Sequence, residues 1–187
     1  MMDIISPETK RLVLRQWTKA DWPAFAAINV DPVVMKYYPS VLSIAESNAM
    51  AQKLETLLAD RGWGFWAVEK REDKKFIGFV GLHVPDYELP VSPCVEIGWR
   101  LAKQHWGYGY ATEAAKASLV VAFEKLDLAT VYSFTSVTNQ KSRAVMERLN
   151  MINTGRNFQH PMIPKNHPLR EHVLYQIDKQ HWAKTKT

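Results

Sequence analysis

Glu96-Ile97-Gly98-Trp99-Arg100-Leu101, followed by Gln104-His105-Trp106-Gly107-Tyr108-Gly109-Tyr110-Ala111-Thr112-Glu113-Ala114, is the stretch whose reading decides the fold. A strand feeds a glycine-containing turn, and the turn opens a helix. The first N–H groups of a helix lack partners within it and lie at its positive dipole end, so such a turn is an anion site. Gly107 and Gly109 carry no β-carbon, which lets a phosphate approach the backbone. Ala111 keeps the first turn uncrowded, and Thr112 adds a hydroxyl donor. The expected ligand is a phosphate or pyrophosphate. A P-loop is excluded, because no Gly-Lys-Ser/Thr end is present. The dinucleotide fingerprint also fails, because alanine comes two residues after the second glycine rather than three. Taken alone, the turn reads equally well as a tight strand-to-helix connection.

The flanking sequence supplies the frame. Upstream, Arg11–Arg15 alternates polar and apolar as a half-buried strand does. Asp21 is the expected cap of a helix with Pro23 in its first turn, and Asp31-Pro32 opens another short helical stretch. Ser43-Ile44-Ala45-Glu46 is a capping box, opening a helix expected to run to about Arg61 and to end on left-handed Gly62. Gly64–Glu69 and Phe76–His83 are strand-like runs around the charged hairpin loop Arg71–Lys75. Downstream, the spacing predicts a helix over 110–126, a strand over 130–136, a helix over 140–149, and closing strands over 152–158 and 172–177. This order predicts an α+β domain around one twisted sheet rather than a uniform doubly wound fold.

Composition sets the bounds. The 187 residues predict a single domain, 1–187, with 1–9 as an N-terminal extension and 178–187 as a basic C-terminal tail. One cysteine, Cys94, excludes an intrachain disulfide and a cysteine-based zinc cage. No apolar run nears the roughly 20 residues a membrane helix needs, and Met1–Pro7 lacks the pattern of a secretory signal. A cytoplasmic protein with no membrane partner is expected. The net charge of +5 is a mild excess of base, partly in Lys179, Lys184 and Lys186, and predicts no nucleic-acid partner. No His/carboxylate helix spacing supports a metal site, and none is expected.

A second constellation, Asn139-Gln140-Lys141-Ser142-Arg143-Ala144-Val145-Met146-Glu147-Arg148-Leu149-Asn150-Met151, follows the next strand. Together the two stretches resemble the GNAT superfamily of acyl-CoA-dependent N-acetyltransferases. Gln104, Gly107 and Gly109 match its Q/R-x-x-G-x-G/A loop, and Asn139 to Met151 matches its N-x-x-(A/S)-x-x-x-x-E-x-x-G-F helix. The Ser142 variant, the R-L-x-L-R strand and the E-I-G-W-x-L strand look like the RimJ/RimL-type branch, whose best-known members acetylate protein N-terminal α-amines. The resemblance spans about Lys10 to Ile177. It implies a GNAT fold: a central twisted mixed sheet of about seven strands, helices on both faces and a splayed cofactor cleft.

For function, the resemblance implies direct transfer of acetyl from acetyl-CoA to a primary amine. A protein or peptide N-terminal α-amine is expected first. A small amine (polyamine, amino acid or antibiotic) is the alternative, and a non-catalytic acyl-CoA-binding module is a further one. Backbone groups of Trp99 and Leu101 would pair with the pantetheine arm. Amides of Tyr108, Gly109, Tyr110, Ala111 and Thr112 would hold the pyrophosphate. The Asn139 amide would bond the arm, and Ser142 would sit near the thioester. Gly98 suggests a bulge that would aim an N–H at the acetyl carbonyl. The oligomeric state expected is a monomer or homodimer.

The departures matter as much. The family's tyrosine acid is replaced by Met146, leaving Ser142 as the nearest proton donor. Asn150-Met151 stands where the family has Gly-Phe, and asparagine still tolerates a left-handed cap. Deprotonating a lysine at pH 7 costs roughly 4–5 kcal/mol, against about 1 kcal/mol for an α-amine. Modest base equipment therefore suits the α-amine, and Glu96 is the candidate base, with a structural carboxylate as the competing reading. Tyr38, His160 and His172 are candidate substrate contacts. The two histidines flank a Pro-rich loop, and anchoring that loop by hydrogen bonds is the reading favoured for them. Cys94, in a Pro-flanked loop, offers no basis for a nucleophile.

Overall fold

Ser43 accepts a hydrogen bond from the Glu46 N–H while the Glu46 carboxylate accepts from the Ser43 N–H, and Gly62 closes the same helix at φ 75°. The capping box thus starts a helix where local chemistry dictates. In the computed structural model, which describes residues 3–185, the chain forms strand β1 (Leu12–Arg15), helices α1 (Trp22–Val30) and α2 (Ile44–Arg61), and strands β2 (Phe65–Lys70), β3 (Phe76–His83) and β4 (Glu96–Leu101). Helix α3 (Tyr110–Val120), strand β5 (Thr130–Ser136) and helix α4 (Gln140–Arg148) follow. Strands β6 (Ile152–Asn153), β7 (Phe158–Gln159) and β8 (Glu171–Asp178) and helix α5 (Lys179–Lys184) complete it.

The eight strands form one sheet in the order β1-β2-β3-β4-β5-β8-β6, with β7 also paired to β8. Neighbours are antiparallel except β4 and β5, which are parallel and joined through α3. Alternation along β4 sends Ile97, Trp99 and Leu101 to one face and Glu96, Gly98 and Arg100 to the other. On the first face Ile97 and Leu101 share a core with Ala114, Ala115 and Leu119 of α3. The opposite face carries α1 and α2. There Trp17, Phe25 and Phe79 pack ring on ring, with centroids 5.0 Å apart for Trp17–Phe25 and 6.0 Å for Phe25–Phe79. Among the described residues no helix is long and apolar enough to cross a membrane.

Several expectations need correction. Residues 152–158 form two dipeptide strands rather than one, because a turn with Gly155 at φ 69° separates them. Asp31-Pro32 leads only to a single 3-10 turn at Met35–Tyr37. Asp21 makes no cap bond to α1; its carboxylate instead pairs with Arg15 (2.8 Å) and accepts from the Thr18 N–H. Gly98 is not a bulge in the β3–β4 ladder: it pairs in register with Gly81, and a β-carbon there would lie 3.2 Å from the Phe65 ring. The 1–9 stretch is tied down where described, with Ile5 N–H bonded to Gly62 O and Trp66 Nε1 to Ile5 O. Within 178–187, Asp178 ends β8 and the α5 helix follows, its Trp182 packed on Phe123; Lys186 lies outside the described residues.

Burial opposes charge on Asp21, but its bonds from Arg15 and Thr18 outweigh this and hold its carboxyl below the usual value. A depressed carboxyl stabilises the fold above its ordinary titration range, and that contribution is lost as pH falls through the folded value. Asp21→Asn should cost about 3 kcal/mol at pH 7 by leaving Arg15 short of a partner, and the penalty should shrink below about pH 4. Urea unfolding at pH 7 and pH 3.5 checks both.

Candidate active site

The parallel β4–β5 ladder holds a single register pair, Glu96 opposite Tyr132. The Tyr132 N–H donates to Val95 O at 3.0 Å, and Ser133 Oγ donates to Ile97 O at 2.9 Å. Beyond Ile97 the strands part. Strand alternation that turns Val95 and Ile97 carbonyls toward β5 also turns the backbone groups of Trp99 and Leu101 into the gap. Trp99 presents both its N–H and its C=O there. Leu101 presents only its N–H, since Trp106 Nε1 donates to its carbonyl at 2.8 Å. The gap is thus a slot that accepts an extended, amide-bearing chain as a further strand would be accepted.

Across the slot, Trp99 Nε1 donates to Ser142 Oγ at 3.1 Å, so the Ser142 hydroxyl keeps its own proton to donate. Asn139 caps α4 through its Oδ1, which accepts the Ser142 N–H at 3.3 Å, while its Nδ2 donates to Thr135 Oγ1 at 2.9 Å. One Nδ2 hydrogen remains for the slot. Met146, at the tyrosine position of the family, is 1% exposed in the core and supplies no acid. Asn150 sits at φ 59°, the left-handed turn expected of it.

At the wide end, Gly107 and Gly109 lie at φ 83° and 80°, and no side chain caps α3. A β-carbon on Gly107 would meet nothing within 4 Å, so the loop is open above its backbone. Two cations flank it that the sequence reading did not assign to the site. Arg11 Nη1 donates to Tyr108 O at 3.0 Å, its guanidinium lies 4.6 Å from the Tyr110 ring, and Glu113 holds its Nε at 2.6 Å. Lys141 Nζ lies 4.3 Å from the Trp106 ring centre. Uncapped helix amides, two left-handed glycines and Lys141 fit the pyrophosphate of acetyl-CoA, as the slot fits its pantetheine arm, while the Arg11 charge is already met by Glu113. Gln104 lies exposed on the 3-10 turn before the loop, and Ala111 and Thr112 occupy the first turn of α3.

The α1–α2 face of the same gap carries Glu96. It sits beside His83 and Tyr132, its register partners on either side. Among the described residues nothing hydrogen-bonds its carboxyl. Burial first, and Asp86 second, push its pKa up to about 8. Tyr87 feels the reciprocal effect, its phenol raised by burial and by Glu96. Cys94 is likewise pushed up by burial and by Glu96, which disfavours a thiolate.

The remaining candidates spread out. His160 and His172 lie with ring centroids 4.8 Å apart among Phe134, Phe158 and Tyr87, and both are buried. Burial, then the His172 charge, lowers His160 to about 4. Its Nδ1 accepts the Met162 N–H, and His172 Nδ1 meets Arg170 O, contacts that fasten the 160–170 loop. Tyr38 lies apart from the histidines, on the Glu96 face of β4, its ring centre 4.2 Å from the Arg100 guanidinium.

The family model of the acetyltransferase (GNAT) domain matches residues 11–152, and the chain belongs to that family. It is 29% identical over 175 residues to the uncharacterized N-acetyltransferase YnaD of Bacillus subtilis (strain 168), covering 93% of this chain and 97% of that one. It is 30% identical over 166 residues to an Aspergillus fumigatus protein named FsC-acetyl coenzyme A-N(2)-transacetylase, covering 84% of this chain and 69% of that one. Among solved structures, a GNAT-family acetyltransferase from Bacillus anthracis superposes with a TM-score of 0.79 at 24% identity, covering 94% of this chain and 99% of that one, a likeness of fold. The chain is therefore a GNAT N-acetyltransferase that uses acetyl-CoA and an amine acceptor.

Gly109→Glu should weaken acetyl-CoA binding by more than tenfold in calorimetry, by setting a carboxylate over the amides that meet pyrophosphate. Retained affinity would remove the loop from the cofactor site.

Proposed function

We propose that this acetyltransferase acts on α-amines, with a peptide or protein N-terminus as its first class of acceptor. The observation that carries the reading is the place of Glu96: a carboxyl where β4 and β5 part, with no hydrogen-bond partner among the described residues, so that burial pushes it up to about 8. A base works best when its pKa lies near the working pH and near that of the group it deprotonates. A carboxyl raised toward neutrality lies closer to an α-amine of about 7.7–8.0 than to a lysine amine near 10.4.

Acetyl-CoA, when bound, supplies the acyl group as a thioester with a tolerable leaving thiolate. Trp99 and Leu101 backbone groups, the 108–112 amides and the remaining Asn139 hydrogen would hold it. Glu96 takes the ammonium proton on the α1–α2 face. Ser142 keeps a donatable proton on the α3–α4 face. Base and acid thus stand on opposite sides of one slot, which keeps the two protons apart. His160, neutral above about pH 4 and tied into its loop, is assigned no proton transfer here.

The likeness to the RimJ/RimL-type branch supports a peptide N-terminus and a cytoplasmic setting. The name of the fungal relative, an N(2)-transacetylase, favours a small amine as the second reading. Thiol release on a panel of N-terminal peptides, lysine peptides, amino acids and polyamines decides between them. Release with α-amines and not with lysine side chains is expected; release with polyamines alone would overturn the reading.

Glu96→Gln should lower kcat by roughly 10²-fold at pH 8, with acetyl-CoA affinity unchanged. An unchanged kcat would make Glu96 structural.

A further inference from the structure

Arg100 is the one β4 residue that the acetyl-transfer chemistry leaves unused on the acceptor face. It shares that face with Glu96, and it is only 7% exposed. Its Nη1 donates to Asn29 Oδ1 at 2.6 Å, and Asn29 Nδ2 in turn donates to Ser47 Oγ at 3.2 Å. Asn29 and Ser47 are both fully buried, so α1 and α2 hold the guanidinium from beneath with neutral groups. The rings of Tyr38 and Phe79 lie 4.2 and 5.4 Å from it. Its Nε is buried without a hydrogen-bond partner. Among the described residues no carboxylate lies within 4.0 Å of it.

This arrangement is unlike that of Arg15, which is less deeply buried. Arg15 is met by two carboxylates, Asp21 and Glu69. A buried charge is ordinarily paired, because desolvation costs several kcal/mol that only a counter-charge recovers. Glu96 does not serve, since its carboxyl rises through burial and Asp86 with no offsetting pull from Arg100. A fixed, desolvated and unneutralised guanidinium is what a site needs to bind a carboxylate strongly. Tyr38, 38% exposed, marks the side from which such a group would arrive.

We propose that Arg100 anchors a carboxylate borne by the acceptor, with Tyr38 as the wall beside it, while the acceptor's α-amine lies at Glu96. The inference rests on the α-amine reading and narrows it. Four residues of strand at about 3.3 Å each put roughly 13 Å between the Glu96 and Arg100 Cα atoms, the length of a short peptide. Between them the Phe65 ring lies against Gly98, giving an apolar middle. The acceptor is therefore an α-amine whose chain carries a carboxylate within about its first three residues, or a small molecule of the same pattern.

The test compares matched acceptors by thiol release: peptides with Asp or Glu at the second or third position against their Asn or Gln forms, and free dipeptides against their C-terminal amides. The first set reports a side-chain carboxylate and the second a terminal one. Wild type should favour one carboxylate series by at least tenfold in kcat/KM, mainly through KM. Arg100→Gln should bring that ratio near unity without changing acetyl-CoA affinity. Calorimetric binding of the acetylated carboxylate product should weaken at least tenfold in the same variant.

Equal use of carboxylate and amide acceptors by the wild type would overturn the inference and leave the α-amine reading standing, and this arm needs no variant to fold. Failure of every α-amine to release thiol would overturn both. Equal loss on charged and neutral acceptors in Arg100→Gln would show a structural role and overturn the inference alone.

Discussion

The site depends on where one pair of parallel strands stops pairing. β4 and β5 meet at Glu96 and Tyr132, and Ser133 reaches across to take the Ile97 carbonyl. After that the ladder ends. Each unpaired strand edge is a row of amides seeking partners, and here that edge becomes the slot. The divergence also opens the sheet from one face to the other. On the proposed reading, that opening is where an acyl donor on the α3–α4 side would meet an amine on the α1–α2 side.

Electrostatics then divides the work between the faces. The α3 start gathers uncapped amides and Lys141, suited to an anion of high charge, with Arg11 paired to Glu113 at its edge. The opposite face is drier and holds two groups out of balance with their surroundings. Among the described residues Glu96 has no hydrogen-bond donor to keep it ionised, and Arg100 has no carboxylate to neutralise it. Structural pairs such as Arg15 with Asp21 show that this chain satisfies charges where only the fold is at stake. That Glu96 and Arg100 share one face of β4 is what supports the proposed acceptor site there.

Much of this was legible from local chemistry. The Gly107-x-Gly109 turn, the Ser43 box, Gly62 and the left-handed Asn150 are set by residues a few positions apart, so short stretches specify them. What depended on distant partners was not legible. Arg11 reaches Tyr108 from 97 residues away, and nothing in the β1 pattern announces it. Asp21 looked like a cap until Arg15 was seen to claim it. Gly98 looked like a bulge because the Phe65 ring that fills its place belongs to another strand. The sequence favours His160 and His172 as anchors of their loop, as found, but their ring contact with one another joins positions twelve residues apart and is not announced by local pattern.

The central claim is that the unpaired edge of β4 is completed by acetyl-CoA. Amide hydrogen exchange with and without acetyl-CoA tests it most directly. The account predicts slowed exchange at the Trp99 and Leu101 amides and at residues 108–112, with Glu96 and Ile97 little changed. Exchange at Trp99 and Leu101 that ignores a bound cofactor would contradict it.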